Sequence, residues 1–396
     1  MDVEKKNPKK MISRTKAVVA CVLCLLLGGA AALGGVWAAL GSDGLTLLQA
    51  NRLITGRFVG DYDETAHREA TLEAMVDSLG DRWSYYLTPQ EYQQVRDTRS
   101  NSYVGVGITV SRDDPDGLRI LAVTQDGPAQ EAGLVAGEII RAVDGTAVTE
   151  ETREDCVTAI KGAEGTTVSL EVEGLDGQCR TVEVKRRMVQ GVTATWKLVA
   201  DKVGLITIQN FYAGTADLVR QGVEELTDQG AKALVLDVRN NPGGYVTELT
   251  EILDLLLPEG DIFISRSYDG KEKVYTSDAA CVDLPLAVLV NGESYSAAEF
   301  LAAQLRESAG AVVAGTHTCG KGYSQMLYRL YDGSAIGLST ARYYTGGGES
   351  LIGVGLQPDP AVELTEQAKA KLLVGALPYE EDLQLQAAIR ALDLGE

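Results

Sequence analysis

Residues 291–325 read NGESYSAAEFLAAQLRESAGAVVAGTHTCGKGYSQ, and the interpretation of the whole chain starts from this stretch. The apolar run LPLAVLV ends just before it. The pattern therefore predicts a buried strand, a turn, a helix that starts near Ser296, and a Gly-rich loop that carries Lys321. An unbroken apolar strand indicates a sheet that is covered on both faces. A serine at a helix start and a lysine in a glycine loop are candidates for a nucleophile and its base.

Lys321 has the surroundings expected of a buried lysine. It lies between two glycines, and no charged residue occurs within seven positions on either side. Burial favours the neutral amine, because a low dielectric disfavours the ammonium form. The chain has only two histidines, His67 and His317, so a serine–histidine mechanism would have to use His317.

Ser296 has two interpretations that spacing alone does not separate. A hydroxyl at a helix N-terminus lies near free N–H groups, which favour an oxyanion. However, Ser296-Ala-Ala-Glu299 also fits a capping box, in which the serine and the glutamate cap each other's backbone. Ser294 is an alternative cap, which would leave Ser296 free in the first turn.

Length and charge restrict the class of protein. A chain of 396 residues with 45% hydrophobic residues predicts two or three domains with sizeable cores. The net charge is −20, although residues 1–16 hold six Lys or Arg against two acidic residues. The remaining 30 basic and 54 acidic residues leave about −24, which argues against a nucleic-acid partner because phosphate contacts need clustered Lys and Arg.

Residues 17–40 form a run of 24 residues without a charge. As a helix this run exceeds the roughly 30 Å of a bilayer core, and the basic flank places residues 1–16 in the cytoplasm and the bulk of the chain outside. We therefore expect a single-pass cell-membrane protein. A signal peptide that is cleaved near Ala30–Ala32 is the less favoured alternative. A lipoprotein site at Cys21 is disfavoured, because almost no apolar residue precedes it.

The cysteines divide by compartment. Cys21 and Cys24 lie in the apolar run, where they behave as small hydrophobes. Disulfides are permitted among the four outside cysteines, which allow three pairings: Cys156, Cys179, Cys281 and Cys319. Outside the apolar run no His/Cys pattern has metal-ligand spacing, so we expect no metal centre.

Residues 103–188 contain short strand-like runs separated by Gly-rich turns. The order GVGI, PAQEAGLVAGEII, VDG and then a helix resembles a PDZ domain. The carboxylate-binding loop of that family matches Gly105, Val106, Gly107 and Ile108. Such a loop forms an anion nest and the next strand accepts an extended peptide, so the resemblance implies recognition of protein C-termini. The plainer alternative is that the two glycines only shape the entry to a strand.

The flanking regions have simpler patterns. Residues 42–99 have a helical pattern. From Trp196 onward, strand and helix patterns alternate, with helices expected at 215–229 and 245–257 and a hairpin that turns at Asp269-Gly270. A mixed sheet with packed helices is the natural architecture.

Several motifs together resemble the carboxyl-terminal processing peptidases, also called tail-specific proteases. In chain order they are SYYLTPQEY, LVLDVRNNPGG, VNGESYSAAE, GKGYSQ and GVGLQPD, which is also their order in that family. The family combines a PDZ domain with a crotonase-like α/β core. Together with the charge and helix patterns of the two ends, the resemblance predicts a multidomain α/β layout: a cytoplasmic basic tail (1–16), a transmembrane helix (17–40), a helical region packing on the core (42–99), a PDZ domain (103–188), a peptidase core (189–365) and a C-terminal helical segment (366–396).

The resemblance also implies roles for individual residues. Ser296 matches the nucleophile, Lys321 the general base and Gln325 the residue that orients the lysine. If GKGYSQ is a strand, Lys321 and Gln325 share a face. The oxyanion hole would use the N–H groups of Ala297 and of a glycine in NNPGG, with Gly243 favoured. His317 falls at a variable position, so we expect a loop residue there.

The implied function is that of a membrane-anchored serine endopeptidase that cleaves extracytoplasmic proteins at or near their C-terminal tails. Such an enzyme works through an acyl-enzyme, needs no cofactor, and admits substrate under the control of its PDZ domain. A homo-oligomer or a regulatory protein partner is compatible with this organisation. The competing hypotheses are a catalytically silent PDZ receptor for C-termini and an acyl-CoA hydratase or isomerase, which would share the fold.

Overall fold

A computed structural model of the chain describes residues 14–111, 114, 116–124, 126–392 and 394. The chain forms two compact units that divide between Leu72 and Glu73. The expected cytoplasmic tail, residues 1–16, lies outside the described residues except for its last three.

The first unit is dominated by helix α1 (Arg14–Arg57), which is broken at Gly41. In the described part of the chain no single helix is both long and apolar enough to cross a membrane. The bent pair Val22–Ala38 and Leu40–Arg57, at 88°, meets that requirement of length and composition together. The expected transmembrane helix at 17–40 is therefore not confirmed. Helix α2 (Glu64–Asp77) follows.

The segment after α2 is not wholly helical, although its sequence pattern predicts helix. Tyr85–Leu87 forms strand β1, and helix α3 (Pro89–Arg99) starts at a capping box made by Thr88 and Glu91. Strand β1 pairs antiparallel with a strand near residue 336, far along the chain. Local pattern cannot reveal such a distant partner, which explains the difference.

Residues 102–190 fold around their own apolar core, in which alternate residues of β7 such as Val168, Leu170 and Val172 are fully buried. The elements are β2 (Ser102–Gly105), β3 (Ile108–Ser111), β4 (Leu118–Val123), α4 (Pro128–Glu131), β5 (Ile139–Val143), β6 (Thr146–Ala147), α5 (Arg153–Ile160), β7 (Thr167–Glu173), β8 (Cys179–Lys185) and β9 (Arg187–Gln190). The sheet order is β3-β4-β5-β7-β8 with β6 on β5, and β2 pairs with β9. Strand β3 thus stands at an edge of its sheet.

The remaining elements form the larger α/β core. They are β10 (Ala194–Val199), β11 (Val203–Ile208), α6 (Thr215–Asp228), β12 (Ala233–Asp237), α7 (Val246–Leu256), β13 (Gly260–Ser267), β14 (Glu272–Ser277), β15 (Leu286–Val290), α8 (Ala297–Ala309), β16 (Val312–Gly315), β17 (Tyr323–Arg329), β18 (Ala335–Tyr344), α9 (Glu366–Leu373) and α10 (Leu383–Ala391). The predicted helices at 215–229 and 245–257 and the hairpin β13–β14 are all present, with ends shifted by one residue at most in the helices.

The first core sheet has the order β10-β11-β12-β15-β16, and its last four strands are parallel. In β15, Leu286, Val288 and Val290 join the cluster formed with helices α6, α7 and α8, whereas Ala287 and Leu289 join the cluster that contains α10. Both faces are therefore covered, as the unbroken apolar run predicts.

The second core sheet is antiparallel and carries β17 at its edge, paired to β18. It joins the first sheet through helix α8, because Phe300 packs at 5.5 Å from Phe263 and 5.9 Å from Tyr343, measured between ring centroids. The mixed α/β class predicted from the sequence is confirmed.

Candidate active site

Ser296 lies at the turn between β15 and α8, in a strained backbone conformation. Its φ is 54° and its ψ is −116°, a region that residues other than glycine rarely occupy. Such strain costs on the order of 1–3 kcal/mol and persists only where the surroundings impose it. The strained residue is followed directly by the buried stretch Ala297–Leu305 of helix α8.

The neighbouring Ser294 has a different place in the turn. Its side chain is fully buried, and the hydroxyl donates to Val238 O at 2.7 Å and accepts from Asn291 N at 3.0 Å. These bonds tie the turn to the end of β12. Ser294 is thus committed to holding the turn, whereas Ser296 lines a cavity.

Glu299 links the turn of Ser296 to the loop of Lys321. This fully buried carboxylate accepts through Oε2 from the Ser296 and Lys321 N–H groups, both at 2.9 Å. Through Oε1 it accepts from Gly320 N at 2.7 Å and from Thr318 Oγ1 at 2.6 Å. The capping-box arrangement is present, although the serine hydroxyl makes no cap hydrogen bond of good geometry. The capping and catalytic interpretations of this stretch are therefore compatible.

The NNPGG loop reaches the serine through Gly243. A Cβ on this residue would lie 3.1 Å from Ser296 Cβ and 3.2 Å from Ala297 N, and its φ is 86°, so glycine is needed there. The Gly243 N–H donates to Asn241 Oδ1 at 2.8 Å. Gly243 is thus placed beside the serine, but its N–H is occupied in this structure.

The same loop is anchored by the buried Arg239, two residues after β12 ends. Its guanidinium lies 2.6 Å from an oxygen of Asp237 and 2.8 Å from one of Asp382, which precedes α10. Burial alone would lower the pKa of Arg239, but the two carboxylates outweigh it and raise that pKa above its usual value. Asn240 N then donates to Asn291 Oδ1 at 2.9 Å, which joins the loop to the serine turn.

Lys321 is half-buried, and its ammonium lies 4.7 Å from the centroid of the Trp83 ring. The part of the chain that the structure describes offers Lys321 Nζ no hydrogen bond and no ion pair. The Trp83 ring also faces the Arg82 guanidinium at 4.3 Å, and it meets the Tyr295 ring edge-on at 6.4 Å between centroids. Burial first, and then the positive charge of Arg99, hold the pKa of Lys321 below its ordinary value.

A cavity of about 190 Å³ brings most of the expected residues together. Its lining combines the serine, the lysine, the glycine turn, four tyrosines and one arginine: Arg99, Tyr212, Pro242, Gly243, Gly244, Tyr245, Ser296, Lys321, Tyr323, Ser324, Gln325 and Tyr343. Ala297 follows Ser296 directly and is buried.

Gln325 lines this cavity but does not bond to Lys321. Strand β17 begins at Tyr323, and an irregularity in its register falls between Ser324 and Gln325. The condition for a shared face, a regular strand from 321 to 325, is therefore not met. The Gln325 amide donates to Tyr323 O at 3.1 Å and to Ser339 Oγ at 3.2 Å.

The expected carboxylate loop, Gly105–Ile108, leads into the edge strand β3. Val106 O accepts from Ala129 N at 2.8 Å and Gly107 O accepts from Thr124 N at 2.9 Å, so both carbonyls are used within the protein. Among the described strands β3 pairs with β4 alone. Its other edge is thus not paired with any described strand.

The other side chains considered from the sequence are His317 and the cysteines, of which Cys319 lies near Lys321 and has its Sγ 4.0 Å from Arg82 Nη2. His317 is exposed. The four cysteines outside the apolar run are free thiols in this structure: Cys156, Cys179, Cys281 and Cys319. Within the described residues no group of three or more His, Cys, Asp or Glu side chains could hold a metal ion.

Sequence reasoning missed the four tyrosines of the cavity and three further side chains at the site. Glu299 was identified only as a helix cap. Trp83 directly precedes the SYYLTPQEY motif, and nothing in the sequence indicated that this ring lies beside the lysine. Arg99 stands at the end of α3 without any motif, so no sequence signal pointed to it.

A strained serine and a half-buried lysine on one cavity are compatible with a serine-type peptidase, and the sequence comparisons show that class. Peptidase family S41 matches residues 202–362, and a PDZ domain matches residues 119–174. A carboxyl-terminal-processing protease of Synechocystis sp. is 29% identical over 97% of this chain and 95% of its own length. The carboxy-terminal processing protease CtpA of Bacillus subtilis is 30% identical over 92% of this chain and 79% of its own length.

A solved structure from Bacteroides fragilis, described as an S41 protease, superposes with a TM-score of 0.53 at 19% identity. It covers 86% of this chain and 92% of that one, and it supports the fold. The chain belongs to the carboxyl-terminal-processing protease family of serine peptidases and carries a PDZ domain.

Proposed function

We propose that the chain is a membrane-anchored endopeptidase that cleaves extracytoplasmic polypeptides at or near their C-terminal tails, through an acyl-enzyme on Ser296. One observation carries the proposal. The strained Ser296 and the Lys321 loop are bonded to the same buried carboxylate, and both side chains line one cavity.

In the first step neutral Lys321 accepts the hydroxyl proton while Ser296 Oγ attacks the scissile carbonyl carbon. The carbonyl oxygen becomes an oxyanion next to the N–H groups of Ala297 and Gly243. For Gly243 to donate, its N–H must exchange Asn241 Oδ1 for the oxyanion. The Lys321 ammonium then returns its proton to the leaving amine, and the C–N bond breaks.

In the second step water hydrolyses the acyl-enzyme. Neutral Lys321 takes a proton from the attacking water, and Ser296 Oγ leaves and regains a proton from the ammonium. The lowered pKa of Lys321 supports this role, because the base must be unprotonated at working pH. Gln325 orients the amine once its amide turns from Tyr323 and Ser339.

The PDZ region, proposed as residues 103–188, supplies substrate to the peptidase core at 189–365. The open edge of β3 and the Gly105–Ile108 loop support the capture of an extended C-terminal tail by strand addition. Occupation of this site controls access to the catalytic cavity.

Residues 17–40 anchor the enzyme, with the N-terminus in the cytoplasm and the peptidase outside. The basic flank at residues 1–16 and the uncharged run support this orientation. The apolar composition of the bent pair Val22–Ala38 and Leu40–Arg57 supports membrane association.

The proposal is tested by sequencing protein C-termini in cells that express the chain or its Ser296→Ala variant. New truncated C-termini in extracytoplasmic proteins are expected only with the unaltered chain. Identical C-termini in both strains would contradict a processing role.

The PDZ assignment is tested separately. Deletion of residues 103–188 should change the cleavage of tailed protein substrates more than that of short peptides. Equal effects on both would remove the tail-reading role and leave the peptidase assignment in place.

A further inference from the structure

The side chain of Arg99 is available at the wall of the catalytic cavity. It is the last residue of α3, it is half-buried, and it lines the cavity together with Ser296 and Lys321. No ion pair or hydrogen bond engages its guanidinium anywhere in the described ranges. Arg96, one turn earlier on α3, is exposed and lies 5.9 Å from the Tyr92 ring.

Two other partly buried arginines of the same unit have carboxylate partners. Arg141 lies 2.8 Å from both Asp114 and Glu173, and Arg187 lies 2.8 Å from Glu131. An unpaired guanidinium in a half-buried position loses hydration without this compensation. Arg99 is thus placed to receive an anion that the described residues do not supply.

The acidic residues near the cavity are already engaged. Glu299 accepts from four donors on the serine turn and the lysine loop. Glu293 accepts from the Tyr295 hydroxyl, and Asp81 accepts from Trp83 N and Ser84 Oγ. Among the described residues, these carboxylates are therefore not left to pair with Arg99, and the cavity beside it has room for a group from a bound molecule.

Resting on the proposed function, we propose that Arg99 binds a carboxylate of the polypeptide substrate close to the scissile bond. A guanidinium presents a planar fork of donors that matches a carboxylate. The carboxylate is either an Asp or Glu side chain or the free C-terminus of a short tail. The site consequently favours acidic over neutral residues at that position.

The small size of the cavity requires the bound carboxylate to lie close to the scissile bond. At about 190 Å³ it lies below the usual range for a drug-sized ligand, so it admits only a short part of the substrate. Tyrosine rings form much of its wall, which leaves Arg99 and Lys321 as its only charged lining groups among the described residues. Since Lys321 must be neutral for catalysis, Arg99 is the group that selects an anion.

The test compares matched peptides rather than single rates. One pair differs as Glu against Gln at each position next to the cleaved bond. The other pair ends in a free carboxylate or in an amide. Arg99 also lowers the pKa of Lys321, which affects every substrate alike, so the ratio of kcat/KM within each pair isolates recognition.

For the unaltered enzyme we expect a preference of about tenfold for one of the charged peptides, as suits a hydrogen bond to a charged group. Arg99→Gln should bring the ratio close to one, Arg99→Lys should keep part of it, and Arg99→Glu should invert it. Arg96→Gln is the matched control on the same helix and should keep the full ratio.

The outcomes show which kind of carboxylate Arg99 binds, and they distinguish a failure of this proposal from a failure of the proposed peptidase function. A preference in the Glu/Gln pair identifies a side-chain carboxylate, and one in the acid/amide pair identifies a C-terminus. Ratios near one in the unaltered enzyme, or an unchanged ratio in Arg99→Gln, would overturn the proposal. Cleavage of all the peptides by Ser296→Ala would instead overturn the proposed function.

Discussion

The serine turn and the lysine loop share one anchor but differ in what holds their reactive atoms. Glu299 bonds the backbone N–H of both Ser296 and Lys321. The serine is further constrained by its strained φ and by the buried start of α8. Lys321 Nζ, in contrast, lies over the Trp83 ring and makes no hydrogen bond to the described residues. The proposed nucleophile is thus preorganised, whereas the amine of the proposed base is held only by its backbone and by the Trp83 ring.

Removal of either reactive group should have the largest effect. Ser296→Ala and Lys321→Ala should each lower kcat/KM for a peptide by at least about 10³-fold, because the two groups act as one unit. The matched control is Ser294→Ala. It removes a buried hydrogen bond and should cost about 1 kcal/mol of unfolding free energy, while the folded enzyme stays active. If Ser294→Ala lost turnover and Ser296→Ala kept it, the assignment of the two serines would be reversed.

Removal of the Glu299 carboxylate should disturb both the serine turn and the lysine loop. Glu299→Ala leaves buried donors of the serine turn and the lysine loop without an acceptor. We expect a loss on the order of 3 kcal/mol or more in unfolding free energy, and very low activity. Urea unfolding and peptide turnover measure the two effects. Glu307→Ala, at the exposed end of the same helix, should change stability by less than about 1 kcal/mol. Similar losses in both variants would show that Glu299 has no special role.

The pH profile reports the base alone. Since burial and Arg99 lower the pKa of Lys321, kcat/KM should rise with pH along an ionisation below the ordinary lysine value of 10.5. Arg99→Gln removes a positive neighbour and favours the ammonium form. Its profile should therefore shift to higher pH, with lower activity at neutral pH for every substrate. An unshifted profile, or a shift to lower pH, would contradict this electrostatic role.

Trp83 acts on the lysine in two opposing ways that two variants can separate. Its ring attracts the ammonium by a cation–π contact of about 0.5–2 kcal/mol, and its bulk excludes water. Trp83→Leu keeps most of the bulk and should lower the apparent pKa of Lys321, whereas Trp83→Ala admits water and should raise it. Activity at neutral pH should change by about two- to tenfold. Trp196→Phe, in strand β10 at the edge of the first core sheet and outside the cavity lining, should leave the profile unchanged.

His317 should have the smallest effect. It is exposed in the loop before Lys321, and the two-step mechanism does not use it. His317→Ala should retain kcat/KM within about twofold over the whole pH range. Loss of turnover in this variant would indicate that His317, and not Lys321, is the general base.

The parts of the molecule that the sequence predicted well are those with local or repeated patterns. The two-faced burial of β15 followed from its unbroken apolar run, and the helix start at Ser296 followed from its polar and small residues. Strand β1 was not predicted, because Tyr85–Leu87 becomes a strand only through its pairing with β18.

Long-range contacts also explain what the sequence left out of the site. The Trp83 ring meets Lys321 although some 240 positions separate them, and Arg99 enters the cavity without any motif. The expected Lys321–Gln325 contact assumed a regular strand, whereas the strand starts late and its register is irregular. Such details depend on tertiary packing rather than on residue spacing.

The most direct test of the central claim is the pH dependence of covalent labelling by a serine-directed fluorophosphonate, followed by intact-mass and peptide analysis. One label on Ser296 is expected, with a rate that rises with pH along an ionisation below 10.5 and falls to background in Lys321→Ala. Labelling of Ser296 that is unaffected by the loss of Lys321, or labelling at another serine, would contradict a serine nucleophile activated by this lysine.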